Sequence, residues 1–219
     1  GNIGFKGDLS GDINDVAFVG NVSTSAGSAD IHMVYDRLKN SNLSRLNGSI
    51  STHGIDLKRI TANDNLGSVA GNISLDATLG RNYKKGRLNA EIIDFSFKNY
   101  EYDNLMATLQ FDNDDYLGEV VANDPNMTFN ISGNASFNDT LPVVNVGVEI
   151  VTLNLDSLNL WNKYPGYTLS AKIDANFTGG ALDDADGVVS VEDVVFTNNE
   201  KNFNINSILV SSNGRKDQM

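Results

Sequence analysis

The sequence lacks cysteine altogether and contains only two histidines, His32 and His53. Disulfide bonds and cysteine-ligated zinc sites are therefore excluded, and a histidine-rich metal centre is not expected. Proline is also scarce, with 3 residues in 219, whereas 40% of the residues are hydrophobic. The chain is long and apolar enough to fold around a core, so the class of disordered linkers is excluded.

Basic residues are few: 16 Lys and Arg stand against 28 Asp and Glu, which gives a net charge of −12. A chain of this charge repels phosphate groups, so we expect no nucleic acid partner and no direct contact with an anionic membrane surface. No apolar run approaches the roughly 18 residues that a membrane-spanning helix needs, and no leader-like segment opens the chain. We therefore expect an internal piece of a longer protein.

Glutamate and glutamine are the scarcest polar residues, with 6 Glu and 2 Gln against 22 Asp and 30 Asn. Glu and Gln lose little side-chain freedom in a helix, whereas Asp and Asn bond to nearby backbone and favour turns. The imbalance predicts strands and turns, with at most one or two short helical turns. These two turns are expected at 55–60 and 155–161, each capped by an aspartate, Asp56 or Asp156.

Apolar and polar residues alternate along most of the chain, which is the pattern of half-buried strands. At Ile92 and Ile93 the apolar phase slips by one residue, which predicts a β-bulge. Turns are expected at the Gly-containing pairs 47–48, 179–180, 186–187 and 213–214. About fourteen strands are predicted, at residues 3–9, 16–22, 31–35, 46–50, 69–79, 88–97, 105–111, 116–122, 127–137, 144–150, 167–177, 188–191, 194–196 and 203–210.

The two helical turns lie about 100 residues apart, and this spacing suggests an internal repeat. No linker-like segment divides the chain, so we predict a single continuous unit over 1–219, with possible repeat units at about 1–86 and 87–219. Its one-sided strands need a cover for the apolar face. A second sheet, closure into a barrel, curling into a trough or a bound apolar ligand would each provide one, and the small residues on that face favour a trough.

Few residues suggest catalysis, metal binding or ligand binding. Paired carboxylates such as Asp114 and Asp115 are expected in turns of so acidic a chain, so we predict no enzyme, no catalytic residue and no cofactor. Asp183, Asp184 and Asp186 form a weak calcium candidate, because the loop opens on Leu182 and lacks a closing glutamate. Trp161, Tyr164 and Tyr167 could stack on a sugar, but such a cluster more often plugs the end of a sheet.

Four segments resemble the TamB-like proteins of the AsmA superfamily, in the variety found in Gram-negative bacteria of the Bacteroides kind. They are the tyrosine-x-tyrosine segment with a following Asn and Leu at 99–105, the glycine strand that ends in Asn-Asp-x-Asn at 118–126, the leucine-spaced turn at 153–160, and the Gly, Asp-Asp, Gly and strand pattern at 177–189.

The resemblance implies a strongly curved, mostly antiparallel all-β sheet, the β-taco, whose concave apolar side forms a groove. It implies a periplasmic protein, anchored in the inner membrane by a helix that this chain lacks, and implicated in phospholipid transport between the membranes and in outer-membrane protein assembly. Phospholipid acyl chains and outer-membrane assembly proteins would be its partners. The implied groove residues are Leu75, Ile92, Leu109, Phe129, Ile131, Val146, Val148, Leu169, Ile173 and Phe177.

Two other classes of protein share this strand pattern. A secreted or surface β-sandwich would hold a glycan or a protein at its loops and would have a sealed core. An outer-membrane barrel also has alternating strands, but the aromatic residues, 8% of this chain, do not form two girdles at the strand ends.

Overall fold

The computed structural model describes residues 3–138, 141–161, 163, 165–179 and 186–213, and these residues form strands almost throughout. The all-β, antiparallel prediction is confirmed. The elements are β1 (Ile3–Asp12), β2 (Asp15–Thr24), β3 (Gly27–Arg37), β4 (Ser44–Asp56), α1 (Leu57–Thr61), β5 (Leu66–Gly80), β6 (Tyr83–Phe97), β7 (Tyr100–Asp112), β8 (Asp115–Asp124), β9 (Met127–Ser136), β10 (Val143–Asn154), β11 (Thr168–Thr178), β12 (Asp186–Thr197) and β13 (Asn202–Ser212).

Within each part of the chain the strands form an antiparallel meander whose order follows the order of the chain. The chain divides into two compact units, residues 1–113 with β1–β7 and α1, and residues 114–219 with β8–β13. Within each unit a strand contacts its neighbours in the chain, and α1 contacts β5. Residues 86 and 87, the predicted repeat boundary, both lie in β6. In the part of the chain that is described, no helix has the length and apolar character needed to cross a membrane.

The bulge predicted at Ile92 and Ile93 is confirmed. The register between β5 and β6 shifts there, because Gly71 faces Ile92 whereas Ala70 faces Asp94. The extra residue returns Phe95 to the face that Ile92 occupies, so the apolar side of the strand continues past the slip.

Two of the predicted turns are wrong. Asn47 and Gly48 lie inside β4, and Asp186 and Gly187 open β12. Gly48 serves close strand approach, since a Cβ at this position would strike the carbonyl oxygen of His32 on β3. The turn from β6 to β7 instead uses Lys98 and Asn99, whose φ angles are 50° and 62°. Predicted pairs 179–180 and 213–214 each extend beyond the described residues.

One strand replaces two predicted ones, so the described part of the chain has thirteen strands rather than the predicted fourteen. Residues 188–191 and 194–196 both belong to β12, and between them Asp193 has a φ of 52°. A left-handed residue of this kind shifts the alternation without ending the strand.

The helical turns are confirmed in place, and one cap differs from the prediction. Asp56 caps α1 and accepts a hydrogen bond from the Arg59 N–H at 3.2 Å. In the second turn the cap is Asn154, whose Oδ1 accepts from the Ser157 N–H at 3.1 Å, and not Asp156. This turn closes with the Leu158 N–H bonded to the Asn154 carbonyl.

Buried side chains are few. Among the described residues the only large side chain that is less than 2% exposed is Leu158. Many large apolar side chains of the described strands are partly exposed, among them Val19, Leu117 and Val188. Much of the apolar sheet surface is therefore not covered by a second layer of the described residues.

Candidate functional site

In the first unit the strand register collects the apolar residues on one side of the sheet. Directly opposed residues of an antiparallel sheet point to the same face. We call the resulting surface the apolar face of the first unit. Its central row runs across all seven strands, through Leu9, Phe18, Met33, Gly48, Leu75, Leu88 and Leu109.

Three of the predicted groove residues lie on this face. Leu75 and Leu109 belong to the central row, and both are opposed by Leu88. Ile92 lies two rows away, where it is opposed by Gly71 on β5 and Leu105 on β7. The structure therefore places Leu75, Ile92 and Leu109 on a single surface of the first unit.

The second unit has an equivalent apolar face, on which the seven other predicted residues lie. Its central row passes through Val120, Ile131, Val148, Ile173, Val191 and Ile208. The remaining predicted residues belong to rows beside it: Val146 faces Gly133, Phe129 faces Ile150, Phe177 faces Val144, and Leu169 faces Leu153.

Sequence reasoning missed many members of these faces. Phe18, Met33, Leu88, Val120 and Val191 lie in the central rows together with the predicted residues. The same two-residue alternation that marked Leu75 or Ile131 could have found each of them.

Most of the predicted residues are half-buried, and Leu109 is 36% exposed. Toward the end of the second unit the exposure rises: Phe203 is 55% and Val210 is 58% exposed, and both are on the apolar face. In neither unit do the described residues provide a second sheet over this face. The apolar residues cover one another laterally and remain open to an apolar molecule from above.

One end of the second unit is more closed. Met127, the first residue of β9, is 7% exposed, and Tyr167, which directly precedes β11, is 8% exposed. Leu158, in the turn that follows β10, is 0% exposed. The Tyr167 ring stacks on Phe196 with centroids 4.4 Å apart. Trp161 in the same turn is 47% exposed, and Tyr164 lies outside the described residues. Leu158 and Tyr167 are therefore buried as a hydrophobic plug at this end of the second unit.

The opposite face is polar and is joined by exposed pairs between strands. Arg45 Nε and Nη2 donate to the two carboxylate oxygens of Asp76 at 3.0 and 2.8 Å, which lowers the pKa of Asp76. Hydrogen bonds from Asn21, and from His53 at 2.7 Å, lower the pKa of Asp30. His32 lies on this face, opposite Ser49.

Carboxylates are close together at one place on the first unit. Asp15 and Asp36 are opposed across β2 and β3, and the hydrogen bond and repulsion between them raise the pKa of Asp15. Both side chains line an open polar depression with Asn14 and Arg37. An exposed carboxyl pair of this kind is a consequence of strand register rather than a shaped active site.

The other candidate carboxylates have structural partners or cannot be placed. Asp115 Oδ1 accepts hydrogen bonds from Ser136 at 2.6 Å and from Asn138 at 2.7 Å. Asp183 and Asp184 lie outside the described residues, and Asp186 is the first residue of β12, paired with Thr178. Within the described ranges no three His, Asp or Glu side chains are arranged to hold a metal ion. Calcium binding by the 183–187 loop stays a prediction.

Comparisons with protein-family models, with curated proteins and with solved structures found no match to this chain. The resemblance to TamB-like proteins is therefore carried by the sequence motifs alone.

Proposed function

We propose that this chain is a non-catalytic segment of a periplasmic bridge that holds phospholipid acyl chains on a hydrophobic groove between the inner and outer membranes. In this proposal it also supports outer-membrane protein assembly. The observation that supports it best is the continuous apolar face of each unit, which is half-exposed and which no second sheet of the described residues covers.

The dimensions and chemistry of such a face suit an acyl chain. Six strands about 4.8 Å apart span about 24 Å between the first and the last, whereas one leaflet of a bilayer core is about 15 Å thick. Each methylene removed from water contributes about 0.8 kcal/mol. The central row of the second unit, from Val120 to Ile208, offers only aliphatic contacts, so binding would depend on area rather than on headgroup recognition.

The structure does not confirm the strongly curved sheet that the resemblance implies, because the sheet is not strongly curled. The proposal retains curling as its finer part, with the apolar face on the concave side. Soluble proteins rarely leave large apolar patches open, and curling brings the rows of such a face closer together. Bulges increase the local twist of a sheet. Such irregularities occur at Ile93 in the first unit and at Asp193 in the second.

Native mass spectrometry of the protein purified from a Gram-negative periplasm, with lipid extraction, tests this function. We expect bound phospholipid in the wild type and its loss in Phe129→Asp and Ile131→Asp, because both place a charge on the apolar face of β9. The matched controls are Asn130→Asp and Ser132→Asp, which place the same charge on the polar face of the same strand. Circular dichroism checks that all four variants fold.

Absence of phospholipid from the wild type, or equal loss in the control variants, would contradict the groove.

The alternative is a β-sandwich binding module, and the exposed Trp161 is the observation that favours it, since an accessible indole can stack on a sugar ring. This reading predicts glycan binding that Trp161→Ala abolishes, and no lipid in the purified protein. Glycan-array binding of the wild type and of Trp161→Ala separates it from the groove.

A further inference from the structure

The polar face of the first unit contains a depression of about 360 Å³, within the size range of small-molecule sites. At its centre β4 and β5 present only the small hydroxyl side chains of Ser49 and Ser74, which are directly opposed. Gly48 and Leu75 also line it, and because the Leu75 side chain belongs to the apolar face, these two residues contribute backbone. The longer polar side chains of the rim come from β3 to β6: His32, Asn47, Asp76, Arg87 and Asn89.

The rim of this depression includes an unpaired cation. Arg87 is directly opposed to Asp76 across β5 and β6, but both carboxylate oxygens of Asp76 accept hydrogen bonds from Arg45, at 3.0 and 2.8 Å. With the residues that the structure describes, Arg87 forms neither a hydrogen bond nor an ion pair. Two guanidinium groups thus stand against one carboxylate, which gives a local formal charge of +1 in a chain of net charge −12.

The second unit has a depression of similar size on its polar face, about 390 Å³ around Gly147, but its charge is opposite. Two carboxylates, of Glu149 and Asp174, stand there against the single ammonium group of Lys172. Lys172 Nζ also lies 3.7 Å from a carboxylate oxygen of Asp193. Of these two depressions, only that of the first unit favours an anion.

We propose that the depression of the first unit binds an acidic saccharide through its carboxylate, which Arg87 holds. The planar guanidinium group of an arginine donates two parallel hydrogen bonds to a carboxylate. Sugar hydroxyl groups both donate and accept hydrogen bonds, and the serine and asparagine side chains around Arg87 do the same. The rim side chains are polar, so a peptide or lipid with apolar groups would gain little there.

The charge of the ligand also favours a carboxylate over a phosphate. A carboxylate brings one negative charge and so matches the one unpaired guanidinium group. A phosphate brings up to two charges into a strongly acidic chain, which repels the second. This site lies on the face opposite the proposed acyl-chain groove, and it does not depend on lipid binding.

A titration of the intact 219-residue chain with galacturonate, followed by amide NMR shifts at pH 7, tests the site. We expect saturable shifts in β4, β5 and β6 with a dissociation constant of roughly 1–10 mM, as for a small ligand held by few contacts. Galactose lacks the carboxylate and acetate lacks the hydroxyl groups, so each should bind about tenfold or more weakly. Trigalacturonate distinguishes the source of the ligand: tighter binding assigns a saccharide chain, and equal binding assigns the free sugar acid.

Arg87→Gln should weaken galacturonate binding by about tenfold or more, because a charge-assisted hydrogen bond is lost. The matched control is Lys172→Gln, which makes the same change of charge in the depression of the second unit and should bind galacturonate as the wild type does. Circular dichroism checks that both variants fold.

Two further variants separate the free cation from a merely structural role. Arg45→Gln releases the carboxylate of Asp76 to pair with Arg87, so binding should fall about fivefold or more. Asp76→Asn instead releases Arg45 and raises the local charge, so binding should become about threefold tighter. A structural role of the Arg45–Asp76 pair would weaken binding in both variants.

The proposal is overturned if galacturonate causes no saturable shifts, if the shifts fall on the second unit, or if galactose, acetate or inorganic phosphate binds as tightly as galacturonate. It is also overturned if Arg87→Gln binds like the wild type, or if Lys172→Gln loses binding equally. The gain expected in Asp76→Asn keeps the test decisive even if Arg87→Gln does not fold. Phospholipid content does not enter this test, so the groove and this site fail independently.

Discussion

Truncation of Leu158 should destabilise the second unit more than any other change in its turn. Leu158 is 0% exposed in a protein with few buried large side chains. Removing a buried leucine side chain to alanine costs about 2–5 kcal/mol, because transfer energy is lost and a cavity remains. Leu160, two residues on, is 39% exposed, so Leu160→Ala should cost less than about 1 kcal/mol, in proportion to the smaller buried area.

Urea unfolding followed by tryptophan fluorescence measures this difference. The chain has one tryptophan, Trp161, and it lies in the same turn, so the signal reports on the second unit. With a urea dependence of about 2 kcal/mol per molar, a loss of about 3 kcal/mol lowers the midpoint by roughly 1.5 M. Leu160→Ala should move the midpoint by less than roughly 0.5 M.

The reasoning is refuted if Leu158→Ala unfolds within about 0.3 M urea of the wild type, or if Leu160→Ala is equally damaging. Either result would mean that the closed end of the apolar face does not stabilise the second unit. An altered slope of the unfolding curve would be read separately, as a change in the surface exposed on unfolding.

Two further predictions concern glycine packing and pH. Gly133→Ala should cost about 1–3 kcal/mol, because its Cβ would lie 2.5 Å from the Asn145 carbonyl oxygen, whereas in Gly147→Ala the nearest atom is 3.5 Å away and thermal melting should hardly change. Asp15→Asn should raise the melting temperature at pH 7 more than at pH 3, and Asp8→Asn is the control for the change in charge. The reason is that the pKa of Asp15 is raised in the folded state. The stabilising contribution of the protonated side chain is therefore present in acid and is lost as the pH rises through that pKa. Equal shifts at both pH values would contradict the second prediction.

The strands and their faces were predictable because alternation records which side of a sheet meets water. All ten predicted groove residues lie on the apolar face of their unit, and the slip at Ile92 and Ile93 marks a real bulge. These features depend on neighbouring residues in one strand, and the sequence displays that relation directly.

Features that depend on the facing strand were not predictable. Gly48 looks like a turn glycine beside Asn47, but its role is to admit the backbone of β3. Asn154 and Asp156 are equally good capping residues by type, and only the end of β10 decides between them. The complete burial of Leu158 has no signal in the spacing of its turn, where Leu155 and Leu160 look equivalent.

The meander order of the strands also bears on how each unit acquires its structure. Even widely spaced pairs, such as Ser44 with Leu79, join residues of adjoining strands, so every pairing needs only the strand that precedes it. This is a low contact order for a β protein, and low contact order favours rapid folding. A unit built in this way can assemble progressively from its first hairpin, one strand at a time, as the chain emerges from a ribosome or a secretion channel.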